Sequence, residues 1–235
     1  MRSLIIAVAQ PRVAPLDVAA NVLVHAAAVR AASARVVVFP ELSLTGYELD
    51  APVIAVDDPR LAPLVAACAA TDTVALVGAP TEGPHIATLA VDRDGVRVAY
   101  RKQYTHSSEE RFQPGAGPEV LEVDGWRLGL GICRDTGIAA HIADTAALGI
   151  DAYVAGVVDS PAGDLVAAQR AARITREHGV WVAFASFAGP TGGGYTETAG
   201  RSGIWTPDGT VAARAGRAVG EIARATMVAE SMAHI

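Results

Sequence analysis

The sequence predicts an α/β protein of layered sheets, built as one domain over residues 1–235. Three observations carry this reading. Short runs rich in Val, Ile, Leu and Ala recur along the chain, each closed by Pro, Gly or charged residues. Longer alanine-rich stretches with helical character alternate with them. Turn signals such as Asp92-Arg93-Asp94-Gly95 and Pro207-Asp208-Gly209 join other strands directly, so hairpins accompany the alternation. With 51% of 235 residues hydrophobic, the chain can fill one substantial core but not two large domains.

Taken in order, Ser3 to Gln10 is a strand, since its apolar stretch is too short for a signal peptide. Pro11 and Pro15 end it, and Asp17 caps a helix running to about Ala32. Arg35 to Phe39 is a β-branched strand stopped by Pro40. Residues 57–70 read as a helix that buries Cys68 as a small core residue, and Thr73 to Gly78 as the next strand. Strands near 86–92 and 95–101 form a hairpin, and after a loop at 103–117 come strands near 119–123 and 126–132. A helix at 137–148, a strand at 151–157, a helix at 162–178 and a strand at 180–185 continue the alternation. Gly-rich turns and a strand pair around residues 207–209 fill the last third.

Composition excludes several classes of function. Nineteen basic residues against 25 acidic leave a net charge of -6, which argues against a nucleic-acid scaffold. Aromatic residues are only 5% of the chain, so few could stack on bases. No apolar run approaches the length of a membrane span. Cys68 and Cys133 make no disulfide framework and no CxxC pair, which suits a reducing cytoplasm.

Cys133 ends the apolar run Leu128-Gly129-Leu130-Gly131-Ile132, and Arg134-Asp135 follow it. The change of character reads as a strand turning sharply into a helix. Free amide N–H groups at a helix start would favour a thiolate and could hold an oxyanion. Glu41 and Lys102 also stand at the ends of apolar runs, in Phe39-Pro40-Glu41 and Tyr100-Arg101-Lys102. Singly, each has a bland reading: a structural thiol, a turn carboxylate, a solvated strand end. Together they suggest covalent acyl transfer, with Cys133 attacking a carbonyl, Glu41 moving the proton and Lys102 holding the negative oxygen.

These motifs, with Thr45-Gly46-Tyr47, Phe112-Gln113-Pro114-Gly115, Arg170-Ala171 and Gly200-Arg201-Ser202-Gly203-Ile204, stand in the order found in one family. From Ile5 to about Gly216 the chain resembles the nitrilase, or carbon–nitrogen hydrolase, superfamily. The resemblance implies a four-layer α-β-β-α sandwich forming one carbon–nitrogen hydrolase domain. It implies Glu41 as general base, Lys102 as transition-state stabiliser and Cys133 as nucleophile, with a thioester intermediate and no metal or organic cofactor. A second family glutamate corresponds to Glu109 or Glu110, and Glu109 fits better by its three-residue separation from Phe112.

Near Cys133 the chain departs from family habit. Nitrilases have Cys-Trp-Glu, whereas Asp135 in the third position matches amide- and carbamoyl-cleaving members and marks a substrate-side residue. The Arg-Phe-Pro segment of those members is replaced by residues 136–141, which removes a carboxylate-binding arginine. Arg134 could read an anionic group in its stead or form a structural ion pair. His141 is read as a polar helix residue, because Gly137, four positions earlier, offers no catalytic partner. Ser186 stands where an asparagine is common and is a candidate substrate contact.

The resulting expectation is an amidase acting on a small linear amide, with nitrilase, N-carbamoyl amine hydrolase and a catalytically silent binding member as alternatives. The resemblance also implies a homodimer, with contacts near residues 182–187 and 162–178, and a C-terminal stretch after Ala225 shorter than the arm many members exchange.

Overall fold

Side-chain alternation along the strands sets the layering. In β1 (Arg2–Ala9), Leu4, Ile6 and Val8 point into a central core, while Ala7 and Ala9 face helices. The same division holds in β2 (Val36–Val38), where Val36 and Val38 face inward and Val37 outward. A sheet apolar on both faces must be covered on both. In this computed structural model, which describes residues 2–163 and 165–229, one face meets a second sheet and the other meets helices.

The first sheet has the order β12-β1-β2-β3-β4-β5, with β3 at Val74–Thr81, β4 at His85–Asp92, β5 at Gly95–Arg101 and β12 at Ile222–Ala229. Helices α1 (Val18–Ala32) and α2 (Ala62–Thr71) cover it, and Asp17 caps α1 by accepting from the amide of Ala20. The second sheet runs β11-β10-β9-β8-β7-β6: Val211–Arg214, Gly203–Trp205, Trp181–Ser186, Ala152–Val157, Trp126–Ile132 and Val120–Val123. Helices α3 (Ala139–Ala147) and α4 (Val166–His178) cover that one. Between the sheets pack Leu128, Leu130, Ile132, Val154 and Ala183 against the inner residues of β1 and β2. The architecture is the four-layer α-β-β-α sandwich.

Several boundaries differ from the sequence reading, for physical reasons. Residues 59–61 form a short 3-10 turn before α2. Strand β3 runs past Gly78 to Thr81, because β4 pairs with it as far as Thr81, while β2 pairs only with Val74 to Leu76. The carbonyl of Pro80 accepts from Ile54 on that open side, so the missing N–H interrupts no ladder. No strand was expected at 222–229, yet β12 pairs antiparallel with all of β1, from Arg2 with Ala229 to Ala9 with Ile222. Residues 230–235 of the C-terminal stretch lie outside the described residues.

Candidate active site

Glu41 is placed by the close approach of the two sheets. The segment after β2 crosses the ends of β3 and β8 where both carry glycine. A Cβ on Gly78 would lie 2.2 Å from the amide nitrogen of Leu42, and one on Gly156 would lie 2.5 Å from the carbonyl oxygen of Phe39. Neither strand could carry a side chain there without pushing Glu41 away. His25 of α1 pins the same segment. Its Nδ1–H donates to the carbonyl of Asn21 at 2.7 Å, so Nε2 accepts from the Ser43 hydroxyl at 2.9 Å.

Lys102 follows β5 directly, and its ammonium lies 2.6 Å from Glu41 Oε1 and 2.7 Å from Glu109 Oε1. All three side chains are no more than 1% exposed. Glu109 is fixed further by the Tyr47 hydroxyl at 3.3 Å and by the His106 amide at 2.7 Å. Of the two glutamates offered by the sequence, Glu109 therefore joins Lys102, while Glu110 is exposed.

Two carboxylates share one ammonium. Burial raises the Glu41 carboxyl above its ordinary range, Lys102 opposes this, and Glu109 adds to it. Burial alone would lower Lys102, but the charges around it outweigh that and keep it a cation. Glu41 Oε2 has no hydrogen-bond partner among the described residues, so one buried acceptor is left open.

Cys133 opens a 3-10 turn, Cys133–Gly137, and α3 begins only at Ala139. The nucleophile candidate thus sits in a tight turn, not at the start of an α-helix. Its φ of 38° places it in the left-handed region, a conformation costing about 1–3 kcal/mol for a residue with a side chain. The thiol is partly exposed and donates to the carbonyl of Val158 at 3.5 Å. Burial and the charge of Glu41 raise it above the ordinary thiol range, with Lys102 opposing. Burial and Glu41 thus work against a resting thiolate, and no α-helix start stands at Cys133 to offset them.

Asp135 requires a correction. It is 0% exposed and faces inward, accepting from the Tyr100 hydroxyl at 2.8 Å, the Tyr104 amide at 2.9 Å and the Ile132 amide at 3.0 Å. These bonds turn it toward β5 and the start of its own turn, and it does not line the cleft over Cys133. His141, a polar residue of α3 as read from the sequence, lies buried in the same network, 2.9 Å from the Tyr100 oxygen and 3.0 Å from that of Tyr153. Ser186 is a second correction. It is 3% exposed at the end of β9, and its hydroxyl turns to the carbonyl of Phe187 instead of the cleft.

The cleft over Cys133 has a volume of about 430 Å³, within the range that holds a small ligand. Tyr47, Lys102, Glu109, Arg134, Asp159 and Tyr195 line it. Arg134 is exposed at this cleft, as an anion reader would be. Arg170 donates to the Cys133 carbonyl at 3.3 Å and to the Thr136 hydroxyl at 3.0 Å. Its guanidinium occupies the space a side chain on Gly137 would need. Asp159 was not singled out from the sequence, although a charged residue just past strand β8 could have marked it. Among the described residues no His, Cys, Asp and Glu cluster could hold a metal ion, and no helix is long and apolar enough to cross a membrane.

Comparison with known proteins gives a consistent picture. The model of the carbon-nitrogen hydrolase family matches residues 5–234. A Pseudomonas protegens protein described as "Hydrolase in pqqF 5'region" is 29% identical over 216 residues, 86% of this chain and 75% of its own. Nit3 of Saccharomyces cerevisiae, a member of branch 10 of the nitrilase superfamily, superposes with a TM-score of 0.83 at 21% identity, over 96% of this chain and 90% of that one. A mutant amidase from Nesterenkonia sp. AN1, with the acetamide moiety of fluoroacetamide covalently added at its active-site cysteine, superposes with a TM-score of 0.85 at 22% identity. The match covers 95% of this chain and 90% of the amidase. At such identities these two structures speak to the fold.

Proposed function

Because the chain belongs to the carbon–nitrogen hydrolase family and is an enzyme of that type, we propose that it cleaves the C–N bond of a small linear amide through a thioester on Cys133. One observation carries the reading: Cys133 opens onto a cleft that Lys102 and Glu109 also line, and Lys102 is bonded to a buried Glu41 that keeps one oxygen unpartnered.

In the first half-reaction Glu41 takes the proton of Cys133 as sulfur bonds to the amide carbon. The carbonyl oxygen becomes an oxyanion, which the ammonium of Lys102 stabilises. Glu41 then returns the proton to the nitrogen, the C–N bond breaks, and ammonia or an amine leaves a thioester. In the second half-reaction Glu41 takes a proton from water as the water oxygen attacks the thioester. The C–S bond breaks, the thiol regains a proton and a carboxylic acid departs. Glu109 holds Lys102 in place and keeps it charged. The Nesterenkonia amidase, with an adduct on its cysteine, supports the same chemistry here by likeness of fold.

The test is ammonia release from a short aliphatic amide and from its matched nitrile, with Cys133→Ala as control and intact mass to detect the acyl adduct. Faster release from the amide is expected. Turnover of the nitrile alone, or of N-carbamoyl compounds alone, would replace the proposed substrate class, and no turnover or adduct with any of them would indicate a silent binding protein.

A further inference from the structure

Most charges around the cleft are already engaged. Glu41 and Glu109 both accept from Lys102, and Arg170 is held by the Cys133 carbonyl and the Thr136 hydroxyl. Two charged side chains lining the same cleft are left over, Asp159 and Arg134, and they carry opposite signs. Among the described residues neither has a hydrogen-bonded or ion-paired side-chain partner, and they do not pair with each other.

Asp159 is fixed beside the nucleophile. The preceding carbonyl, of Val158, accepts from Cys133, and the carbonyl of Asp159 itself accepts from the amide of Ala199 at 2.8 Å. Its carboxyl group is half-buried. Burial raises it to about 6, with Arg170 pulling the other way, so at neutral pH it remains mostly charged. A partly desolvated carboxylate without a donor costs free energy that a ligand cation would recover. Arg134 is exposed at the cleft, and its planar fork of donors suits a carboxylate. An ion of one sign would gain at one of these groups and be repelled by the other.

We infer that Asp159 and Arg134 together select a zwitterionic amide, whose ammonium meets Asp159 and whose carboxylate meets Arg134 while its primary amide reaches Cys133. This substrate class rests on the amide reading above. It makes Asp159 and Arg134 specificity-determining residues, with no part in the bond-breaking steps.

Four matched five-carbon amides test it: pentanamide, 5-aminopentanamide, glutaric acid monoamide and glutamine. Binding of each to the Cys133→Ala protein is measured by calorimetry near neutral pH. Glutamine should bind about tenfold or more tighter than pentanamide, the scale of hydrogen bonds to charged groups. Adding Asp159→Asn should weaken glutamine and 5-aminopentanamide and spare the other two. Adding Arg134→Gln should weaken glutamine and the monoamide and spare the other two. Equal affinity for all four amides, failure of glutamine to bind, or a uniform loss across the four in either variant would overturn the inference. The four-amide comparison needs neither added variant to fold. Since it requires no turnover, selective binding of glutamine by a protein that releases no ammonia from any amide would reject the amide chemistry alone.

Discussion

The Tyr100 hydroxyl donates to Asp135 at 2.8 Å, and that contact ties the strand leading to Lys102 to the turn that begins at Cys133. The same oxygen accepts from the Gln103 amide at 3.2 Å and lies 2.9 Å from His141. Tyr100→Phe leaves a buried carboxylate short of one donor and His141 short of one partner. Stability to urea should fall by about 1–3 kcal/mol. The rate constant for turnover should fall more than KM rises, because Lys102 and Cys133 lose their common anchor. Unchanged unfolding midpoints and kinetics would show that the contact holds nothing.

Roles within the buried charge group are separable by single substitutions. Glu41→Gln and Lys102→Ala should each lower the rate at least ~100-fold, the usual scale for a general base or an oxyanion partner. Glu109→Gln should also impair turnover, since it removes one of the two carboxylates that hold the ammonium. Glu110→Gln should leave the rate near that of the unaltered protein, its side chain being in solvent. Steady-state kinetics on folded variants decide the matter, and equal losses at positions 109 and 110 would contradict the geometry.

The two thiols should react very differently with iodoacetamide. Burial raises both, Cys68 to about 11 and Cys133 further, so ionisation in the resting state gives Cys133 no advantage. Access decides instead. Cys68 is fully buried in α2 against the first sheet, whereas Cys133 opens to the cleft beside a base. Peptide mapping should place the first label on Cys133, with activity lost in step. Early labelling of Cys68 would reverse the assignment.

Acid should destabilise the fold partly through His25. Burial lowers this imidazole from 6.5 to about 4, against a smaller opposing effect of the Asn21 carbonyl. A depressed folded value means the unfolded chain binds the proton first. The contribution is therefore complete above about pH 6.5 and is lost as pH falls through 4, amounting to about 3 kcal/mol. Urea unfolding between pH 7 and pH 4 should show this slope, and His25→Gln should be less stable at neutral pH but lose less on acidification. Parallel pH profiles for the two proteins would rule the group out.

Much of the scaffold was legible because strands and helices announce themselves by period and punctuation. The inner and outer faces of β1 and β2 follow from alternation alone, and Asp17 caps the helix it precedes. Other features depend on long-range geometry. Strand β12 mixes three alanines with the β-branched Ile222, Thr226 and Val228, so its own preference is divided; pairing with β1 makes it a strand. Glu41, Lys102 and Cys133 stand at strand ends and could be grouped from sequence; in the structure Lys102 and Cys133 line one cleft, and the buried Glu41 is bonded to Lys102. Asp135, His141 and Ser186 could not be placed, since whether a polar side chain turns to a cleft or to a buried partner depends on backbone direction in one tight turn. The unpaired state of Asp159 is likewise visible only once its neighbours are in place.

The pairing of β1 with β12 has a consequence for how the chain is made. As translation proceeds, β1 can acquire β2 early, but its other edge stays bare until residues 222–229 have emerged. Until then that edge presents unpaired amides and carbonyls along eight residues, a template for any extended chain nearby. Closing it requires contacts more than two hundred residues apart, the slowest kind to form. The emergence of residues 222–229, not that of the segments bearing Glu41, Lys102 and Cys133, is then the moment at which this seam closes, and a chain cut short before residue 222 carries every named site residue on a sheet with an open edge.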